Sequence, residues 1–314
     1  MNFMKRLIAF LMTVAVLLSI TGCGRTPDFN MPTGCIDSVY HQYGKDFAAS
    51  VEEQSGLKIK PYSTDGAKAN MIIIDKTPKD IGLAQADLLN HSWNETNIFK
   101  KEGKIDSLRA IGCVFTEQLM LITTDPSVHS MKQLKGKIVS LGSVYSGTYL
   151  NAMDLLDAMG LEENDLPSLR KKKLIKNYNL TASLEALEEG KIDAAFITTA
   201  LPSPALTKFM EKHSLYLVPF EQEDLDRLQK ENDDYFQSTI PAQSFTDQEK
   251  AVPTLGVKTI LFCGADCEKD EIYEITKVAL KDIDIDFAYS GVDVPFHQGA
   301  AKYFAEQGIK VYSK

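Results

Sequence analysis

The chain of 314 residues is long enough for two domains of ordinary size. Its content of 44% hydrophobic and 25% charged residues is typical of globular proteins and argues against large-scale disorder. Its formal net charge of −9 argues against nucleic acid as a partner, because binding to phosphates requires a basic surface.

The N-terminus has the pattern of a secretion signal. Residues 1–6 carry two basic side chains, residues 7–18 form an almost unbroken apolar run, and small residues follow up to Cys23. The apolar run is shorter than the roughly 20 residues that a membrane-spanning helix needs. We therefore predict a signal peptide over residues 1–22. Its removal leaves 32 basic against 43 acidic residues, so the mature chain has a charge of −11.

Residues 20–23, Ile-Thr-Gly-Cys, resemble the lipobox of bacterial lipoproteins. The resemblance implies that Cys23 becomes the lipidated first residue and that residues 23–30 form a tether. The alternative is an ordinary signal peptide with an incidental cysteine. The lipoprotein interpretation predicts a protein that is extracytoplasmic and anchored to the cell membrane by lipid.

The first half of the mature chain alternates between strand and helix patterns. Residues 39–55 carry apolar side chains at four-residue spacing and are predicted to form a helix. We expect Asp37 or Ser38 to be its N-cap and Gly56 to end it. The later segments are predicted as a strand over 57–62, a helix over 64–74, a buried strand over 80–87, and strands over 108–114 and 118–123.

The second half restarts with a strand over residues 137–141, a polar turn, and an amphipathic helix over 152–159. Such a turn leaves N–H groups unpaired at the positive end of the helix dipole, and these attract anions. Ser143, Ser146 and Thr148 place hydroxyls beside them. Arginine is scarce, so a carboxylate site would depend mainly on backbone donors, hydroxyls, amides or lysines.

The remaining segments are predicted as strands over 174–177, 191–197, 215–220 and 254–263, and as helices over 181–189, 224–235, 271–283 and 300–307. This alternation predicts an α/β fold with a mostly parallel sheet. We expect two lobes, the first from residues 31–121 and 254–314 and the second from residues 122–253. Residues 119–123 and 252–262 would cross between them, and a ligand would lie in the cleft at the strand ends.

Many short segments together resemble the TAXI family of extracytoplasmic solute-binding proteins of TRAP transporters, over about residues 33–308. The matching residues and segments are Thr33-Gly34, Tyr40, Gly44, Gly66, Asn70, Gln85-Ala86-Asp87, residues 134–137, Ser146-Gly147-Thr148, Asn151, residues 190–196, Pro202, residues 239–242, residues 252–254 and residues 297–300.

The resemblance implies a two-lobe type II periplasmic-binding-protein fold with a hinged interlobe cleft. It also implies capture of a small carboxylate-containing solute, such as glutamate, another amino acid or a 2-oxoglutarate-like dicarboxylate, and its delivery to the TRAP membrane permease subunits. The expected ligand-binding residues are Asp37, Ser38, Tyr40, Gln85, Asp87, Ser143, Ser146, Gly147, Thr148, Thr198 and Pro202. Asp37 departs from the family's Gly-rich opening turn; in the cleft it would repel a carboxylate and favour an ammonium group.

Other functions have weaker support. A surface sensor or adhesin on the same fold is the alternative. An enzyme is not expected, because no histidine stands beside Cys35 and no nucleophile-elbow or phosphate-loop signature occurs. The histidines lack metal-ligand spacing, so neither metal nor cofactor is expected, and His297 is interpreted as structural. The sequence leaves open whether Cys35, Cys113, Cys263 and Cys267 are free or paired.

Overall fold

The computed structural model describes residues 26–160, 168–169 and 171–314. The predicted signal peptide, Cys23 and the start of the tether lie outside these residues. The first element, strand β1 (Phe29–Pro32), begins within the predicted tether and pairs in parallel with strand β2 (Ile59–Tyr62). Phe29 is buried, so the chain joins the core two residues before the predicted start of the first lobe.

The remaining strands are β3 (Ile81–Gln85), β4 (Leu108–Thr123), β5 (Val139–Ser140), β6 (Ile175–Lys176), β7 (Ala194–Thr199), β8 (Tyr216–Leu217), β9 (Tyr235–Ile240) and β10 (Val252–Gly264). The helices are α1 (Val39–Ser55), α2 (Ala67–Lys76), α3 (Ala86–Asn94), α4 (Phe99–Glu102), α5 (Gly147–Ala158), α6 (Leu180–Glu188), α7 (Pro204–Met210), α8 (Gln222–Glu231), α9 (Lys269–Ala279), α10 (Ile285–Tyr289) and α11 (Gln298–Glu306). Helix α1 has the predicted bounds, with Ser38 as N-cap and Gly56 in the left-handed conformation.

The hydrophobic core has separate clusters at the two ends of the long strands. The first cluster packs α1, α2, α3, α9 and α11 against the start of β4 and the end of β10. The second and third clusters cover opposite faces of the sheet around the end of β4, where Leu119 and Leu121 point to one face and Met120 and Ile122 to the other. We call the region around the first cluster lobe 1 and the region around the other two lobe 2.

Strands β4 and β10 run through both lobes in one mixed sheet of order β3-β10-β4-β7-β5-β6. They pair antiparallel from Gln118 with Gly256 to Leu108 with Gly264. Within this sheet, in the described residues, the parallel pairs are those of β5 with β6 and with β7. The prediction of a mostly parallel sheet is therefore wrong. The reason is that β4 carries the chain into lobe 2 and β10 carries it back, so these neighbours must run in opposite directions.

Strand β4 also replaces two predicted strands, since residues 115–117 continue the sheet between them. No helix in the described part of the chain is long and apolar enough to cross a membrane. The mixed α/β architecture, with two lobes joined by long shared strands, confirms the predicted fold class.

Candidate functional site

A cavity of about 80 Å³ lies between the two lobes. A water molecule needs about 10–15 Å³ of such space, so the cavity suits a small solute and is too small for a peptide. The lining residues are Gly34, Cys35, Ser38, Val39, Tyr40, Asp65, Gly66, Ala67, Gln85 and Glu117 from lobe 1, and Gly142, Ser143, Ser146, Gly147, Thr148, Tyr178, Asn179, Leu180, Phe196, Ile197, Thr198 and Thr199 from lobe 2.

Five helices begin at this cavity. Their N-cap residues, all of which line it, are Ser38 of α1, Gly66 of α2, Gln85 of α3, Ser146 of α5 and Asn179 of α6. In the first turn of each helix the N–H groups have no partner within the helix and lie at the positive end of the helix dipole, although caps already occupy the amides of His41 in α1 and Tyr149 in α5. Among the described lining residues none is lysine or arginine. The cleft can therefore hold an anion through backbone dipoles without a cationic side chain.

The serine and threonine hydroxyls predicted to bind ligand are largely engaged within the protein. Ser146 Oγ accepts a hydrogen bond from the Tyr149 amide at 3.3 Å and donates to the Ser143 carbonyl at 2.8 Å. Thr148 Oγ1 accepts from the Thr198 amide at 3.1 Å, and Ser38 Oγ caps α1 by accepting from the His41 amide. These side chains shape the turns, so the ligand contacts available at these turns come mainly from backbone N–H groups.

The two lobes touch across the cleft. A Cβ atom added at Gly147 would lie 1.5 Å from Gln85 Oε1, so only glycine allows this approach of α5 to lobe 1. Beside it, the Ala69 amide of lobe 1 donates to the Tyr145 carbonyl of lobe 2 at 3.1 Å. The side chain of Leu150 in α5 belongs to the hydrophobic cluster of lobe 1. The start of α5 is therefore docked on lobe 1, and the cleft is closed.

Glu117 is a cavity residue that the sequence analysis did not single out. Its side chain is buried, and Oε1 accepts hydrogen bonds from Tyr40 Oη and from Thr259 Oγ1, both at 2.6 Å. Burial raises the pKa of Glu117 to about 7, while the hydrogen bonds from Thr259, Tyr40 and Gln85 oppose that rise. The signal in the sequence was a single acidic residue in the 115–117 gap between two apolar runs, which is buried once the runs join into β4.

Eight of the eleven predicted ligand-binding residues line the cavity: Ser38, Tyr40, Gln85, Ser143, Ser146, Gly147, Thr148 and Thr198. Asp37, Asp87 and Pro202 do not. Asp37 Oδ2 forms an ion pair with Lys208 Nζ at 3.0 Å across the rim of the cleft. Its charge is thus balanced outside the cavity, so the condition under which Asp37 would repel a carboxylate, a position within the cleft, is not met. Pro202 lies beyond the end of β7, past the lining residues.

Asp87 is part of the contact between the lobes instead of the cavity wall. Its Oδ2 accepts from Asn151 Nδ2 at 2.5 Å and lies 3.4 Å from Tyr235 Oη, which contacts Asp154 Oδ2 at 2.9 Å. Asp234 accepts from Asn90 Nδ2 nearby. We call Asp87, Asp154 and Asp234 the interlobe acidic cluster.

Burial and mutual repulsion change the proton affinity of this cluster. Burial, followed by the neighbouring carboxylates Asp234 and Asp154, raises the pKa of Asp87 well above its ordinary value. Burial also raises the pKa of Asp154 and of Asp234 to about 6. The cluster therefore binds protons when the lobes are in contact.

Four cysteines and His297 lie within the described part of the chain, and Cys35 is among the cavity-lining residues. Cys35, Cys113, Cys263 and Cys267 are all free thiols in the structure. His297 caps α11 by accepting from the Gly299 amide through Nδ1, while Nε2 contacts the Cys267 carbonyl at 3.0 Å. In the described part of the chain, no group of three or more His, Cys, Asp or Glu side chains is arranged to hold a metal ion.

Comparison with known proteins gives one family and a consistent fold. The model of the NMT1-like family matches residues 31–308. The periplasmic binding protein BugD is similar with a TM-score of 0.51 and 15% identity, over 82% of this chain and 84% of that one. MatC from Rhodopseudomonas palustris with bound malate gives a TM-score of 0.54 and 10% identity, over 90% of this chain and 95% of that one. At these identities the similarity establishes the fold, which is that of type II periplasmic binding proteins.

Proposed function

The chain belongs to the NMT1-like family, and from this premise we propose that it is an extracytoplasmic solute-binding protein that captures a small carboxylate-containing solute. The observation that carries the proposal is the convergence of five helix N-termini on one interlobe cavity without a lysine or arginine in its described lining. Such an arrangement favours one or two negative charges on a small molecule. The ligand-binding residues predicted from the sequence, apart from Asp37, Asp87 and Pro202, would supply or shape these contacts.

Capture would proceed by closure of the lobes on the solute. The solute binds one wall of the open cleft, the turn at Gly147 then docks on Gln85, and water is expelled. Fixed dipoles act more strongly in the dry cavity because the local dielectric constant is low. The strands that cross between the lobes, β4 and β10, are where this movement would be hinged.

The partner in this proposal is the membrane permease of a TRAP transporter, with the chain acting as a TAXI-type subunit held to the membrane by a lipid on Cys23. The support is the lipobox-like sequence at residues 20–23 and the family-like segments along the mature chain. A Cys23→Ser variant is expected in the soluble fraction and wild type in the membrane fraction. Equal partition of the two would contradict the lipid anchor and leave the cleft proposal untouched.

A thermal-shift panel tests the solute-binding function. Amino acids, hydroxy acids, 2-oxo acids and dicarboxylates are each added to the purified chain. A ligand that binds only the folded protein stabilises it by about 2.7 kcal/mol at a concentration of 100 times Kd, which raises Tm by several degrees. Sugars and nucleosides serve as uncharged controls. No shift with any carboxylate, or a shift only with uncharged solutes, would contradict the proposal.

A further inference from the structure

The floor of the cavity holds a carboxylate without a cationic partner. Glu117 Oε1 is occupied by the hydroxyls of Tyr40 and Thr259, but Oε2 has one long contact, 3.4 Å from Gln85 Nε2. Each carboxylate oxygen can accept about two hydrogen bonds. Oε2 therefore keeps the capacity to accept a strong hydrogen bond from a group inside the cavity.

A second acceptor lies beside it. Gln85 is only 1% exposed, and its Oε1 has no hydrogen-bond partner within the described part of the chain. A buried acceptor without a donor costs about 1–3 kcal/mol, so the site is energetically incomplete as it stands. Gln85 Oε1 is packed against Gly147 of α5, whereas Gln85 Nε2 faces Glu117, so the acceptor left open on the floor of the cavity is Glu117 Oε2.

The groups that face Glu117 explain why it does not find its counter-ion in the protein. Tyr40 comes from α1, Gln85 from the end of β3 and Thr259 from β10, and all three are uncharged donors. The other acidic lining residue, Asp65, is exposed to solvent. A buried carboxylate with neutral neighbours must take up either a proton or a cation from the ligand.

The cavity is therefore dipolar, with helix N-termini that favour a carboxylate and a Glu117 carboxylate that favours a positively charged donor. We propose that Glu117 is the specificity-determining residue of the cleft and that it binds the protonated amino group of the solute, so the ligand class is amino acids and not the corresponding 2-oxo acids. This inference rests on the proposed solute-binding function and narrows it. It transfers the ammonium preference expected of Asp37 to a different residue on a different element.

Binding of an ammonium group releases a proton from Glu117, whereas binding of a 2-oxo acid does not. Near neutral pH a fraction of Glu117 is protonated, and an ammonium ligand displaces that proton to solvent. Affinity for an amino acid should therefore fall as pH falls below about 7, relative to its 2-oxo counterpart. The interlobe acidic cluster also takes up protons on closure, but it does so equally for both ligands. The ratio of the two affinities therefore isolates Glu117.

The experiment is calorimetric titration of the purified chain with matched pairs: L-glutamate and 2-oxoglutarate, L-alanine and pyruvate, L-leucine and 4-methyl-2-oxopentanoate. At pH 8 the amino acid of at least one pair is expected to bind about 10–100-fold more tightly than its partner, as a charge-assisted hydrogen bond would give. The preference should shrink between pH 8 and pH 5.5. Equal or tighter binding of the 2-oxo acids would overturn the inference and leave the proposed function standing.

Two variants complete the test. Glu117→Gln keeps the shape of the side chain and removes its charge, and it should lose the preference for the amino acid. Asp226→Asn neutralises an exposed acid on α8, outside the cavity lining, and should keep the preference. Persistence of the preference in Glu117→Gln, or its loss in Asp226→Asn, would overturn the assignment. If Glu117→Gln does not fold, the test rests on the wild-type protein. A ratio of the two affinities that stays constant from pH 8 to pH 5.5 would then overturn the assignment. If neither member of any pair binds, the inference and the proposed function are both overturned.

Discussion

At the scale of single residues, the closed cleft depends on an absent side chain. Gly147 lets the first turn of α5 approach Gln85, and any Cβ there would meet the amide of Gln85. Gln85 is almost fully buried, so its displaced amide would have to move into the ligand cavity. The contact between the lobes and the space for the solute are thus coupled at one residue.

Gly147→Ala should weaken solute affinity by about tenfold or more, the effect of losing roughly 1.4 kcal/mol. The Tm of the unliganded protein should change little, because alanine is a better helix former than glycine. Gly136→Ala is the matched control: no atom lies within 4 Å of its Cβ position, but its φ of +80° makes alanine strained. It should lower Tm and leave affinity unchanged. If the two variants show the same changes in Tm and in solute affinity, a role for Gly147 in closure is contradicted.

The rim ion pair of Asp37 and Lys208 should matter much less. Its Lys208 side chain is 70% exposed, and exposed pairs contribute about 0–1 kcal/mol. Lys208→Ala should therefore reduce affinity less than about fivefold, and the difference should vanish in high salt. Titrations at low and high ionic strength provide the measurement. A loss greater than about tenfold that persists in high salt would show that Asp37 acts within the site.

At the scale of elements, the site is an assembly of helix starts whose caps hold them in place. Ser146 illustrates this, because its hydroxyl closes the turn through both the Tyr149 amide and the Ser143 carbonyl. The N-cap of α10, Asp284, accepts from the Phe287 amide but lies outside the cavity lining. A comparison of variants at these two caps therefore distinguishes an effect on folding stability from an effect on solute binding.

Ser146→Ala and Asp284→Ala should each cost about 1 kcal/mol of folding stability through loss of a cap. Only Ser146→Ala should also weaken the solute affinity, since it loosens the turn that presents the α5 N–H groups. Urea unfolding and calorimetric titration of both variants give the comparison. Wild-type affinity in Ser146→Ala would mean that this turn contributes no contact to the solute.

The sequence predicted the start of α1 better than it predicted buried charge, but it placed the start of α5 at residue 152 and the helix begins at Gly147. The boundaries and caps of α1 follow from local signals, namely four-residue apolar spacing, Ser38 and Gly56, and the structure confirms them. The crossing of residues 119–123 and 252–262 between the lobes was expected, but the mostly parallel sheet was wrong because β4 and β10 pair antiparallel along most of their length, and that pairing joins segments far apart in the chain. No local pattern pointed to Glu117 or to the burial of Asp87, because that burial is set by partners such as Thr259 and Tyr235, more than 140 residues away in the chain.

At the scale of the whole molecule, the interlobe acidic cluster links closure to pH. Asp87 belongs to lobe 1, while Asp154 and Asp234 belong to lobe 2, and Tyr235 lies between the first two. Uncharged amides that face them include those of Asn90, Asn97, Asn151 and Asn232. Contact between the lobes buries these carboxyls, so closure and proton uptake favour each other.

The stability of the closed form should fall as pH rises from about 4 to about 6. In that window the folded state holds protons on Asp154 and Asp234, with pKa values of about 6, while the unfolded chain has released them near 3.8. Asp154→Asn removes one such group and should flatten the profile. It should be more stable than wild type at pH 7–8 by about 1–3 kcal/mol, since each pKa unit corresponds to about 1.4 kcal/mol.

Urea unfolding at half-unit steps from pH 4.5 to 8 measures this profile. Asp226→Asn, a change of an exposed acid on α8, is the control and should leave the slope unchanged. A wild-type stability that rises with pH across the window, or an Asp154→Asn variant that is less stable than wild type at pH 8 with the original slope, would contradict proton uptake by the cluster.

The central claim is that a solute carboxylate rests on the helix starts that converge on the cleft. A crystal structure of the protein with the solute that gives the largest thermal shift tests it most directly. We predict a carboxylate oxygen within about 2.7–3.2 Å of backbone N–H groups in the first turns of α1 or α5, with the lobes closed as described. A solute bound elsewhere, or one bound in the cleft with its carboxylate directed away from these helix starts, would contradict the account.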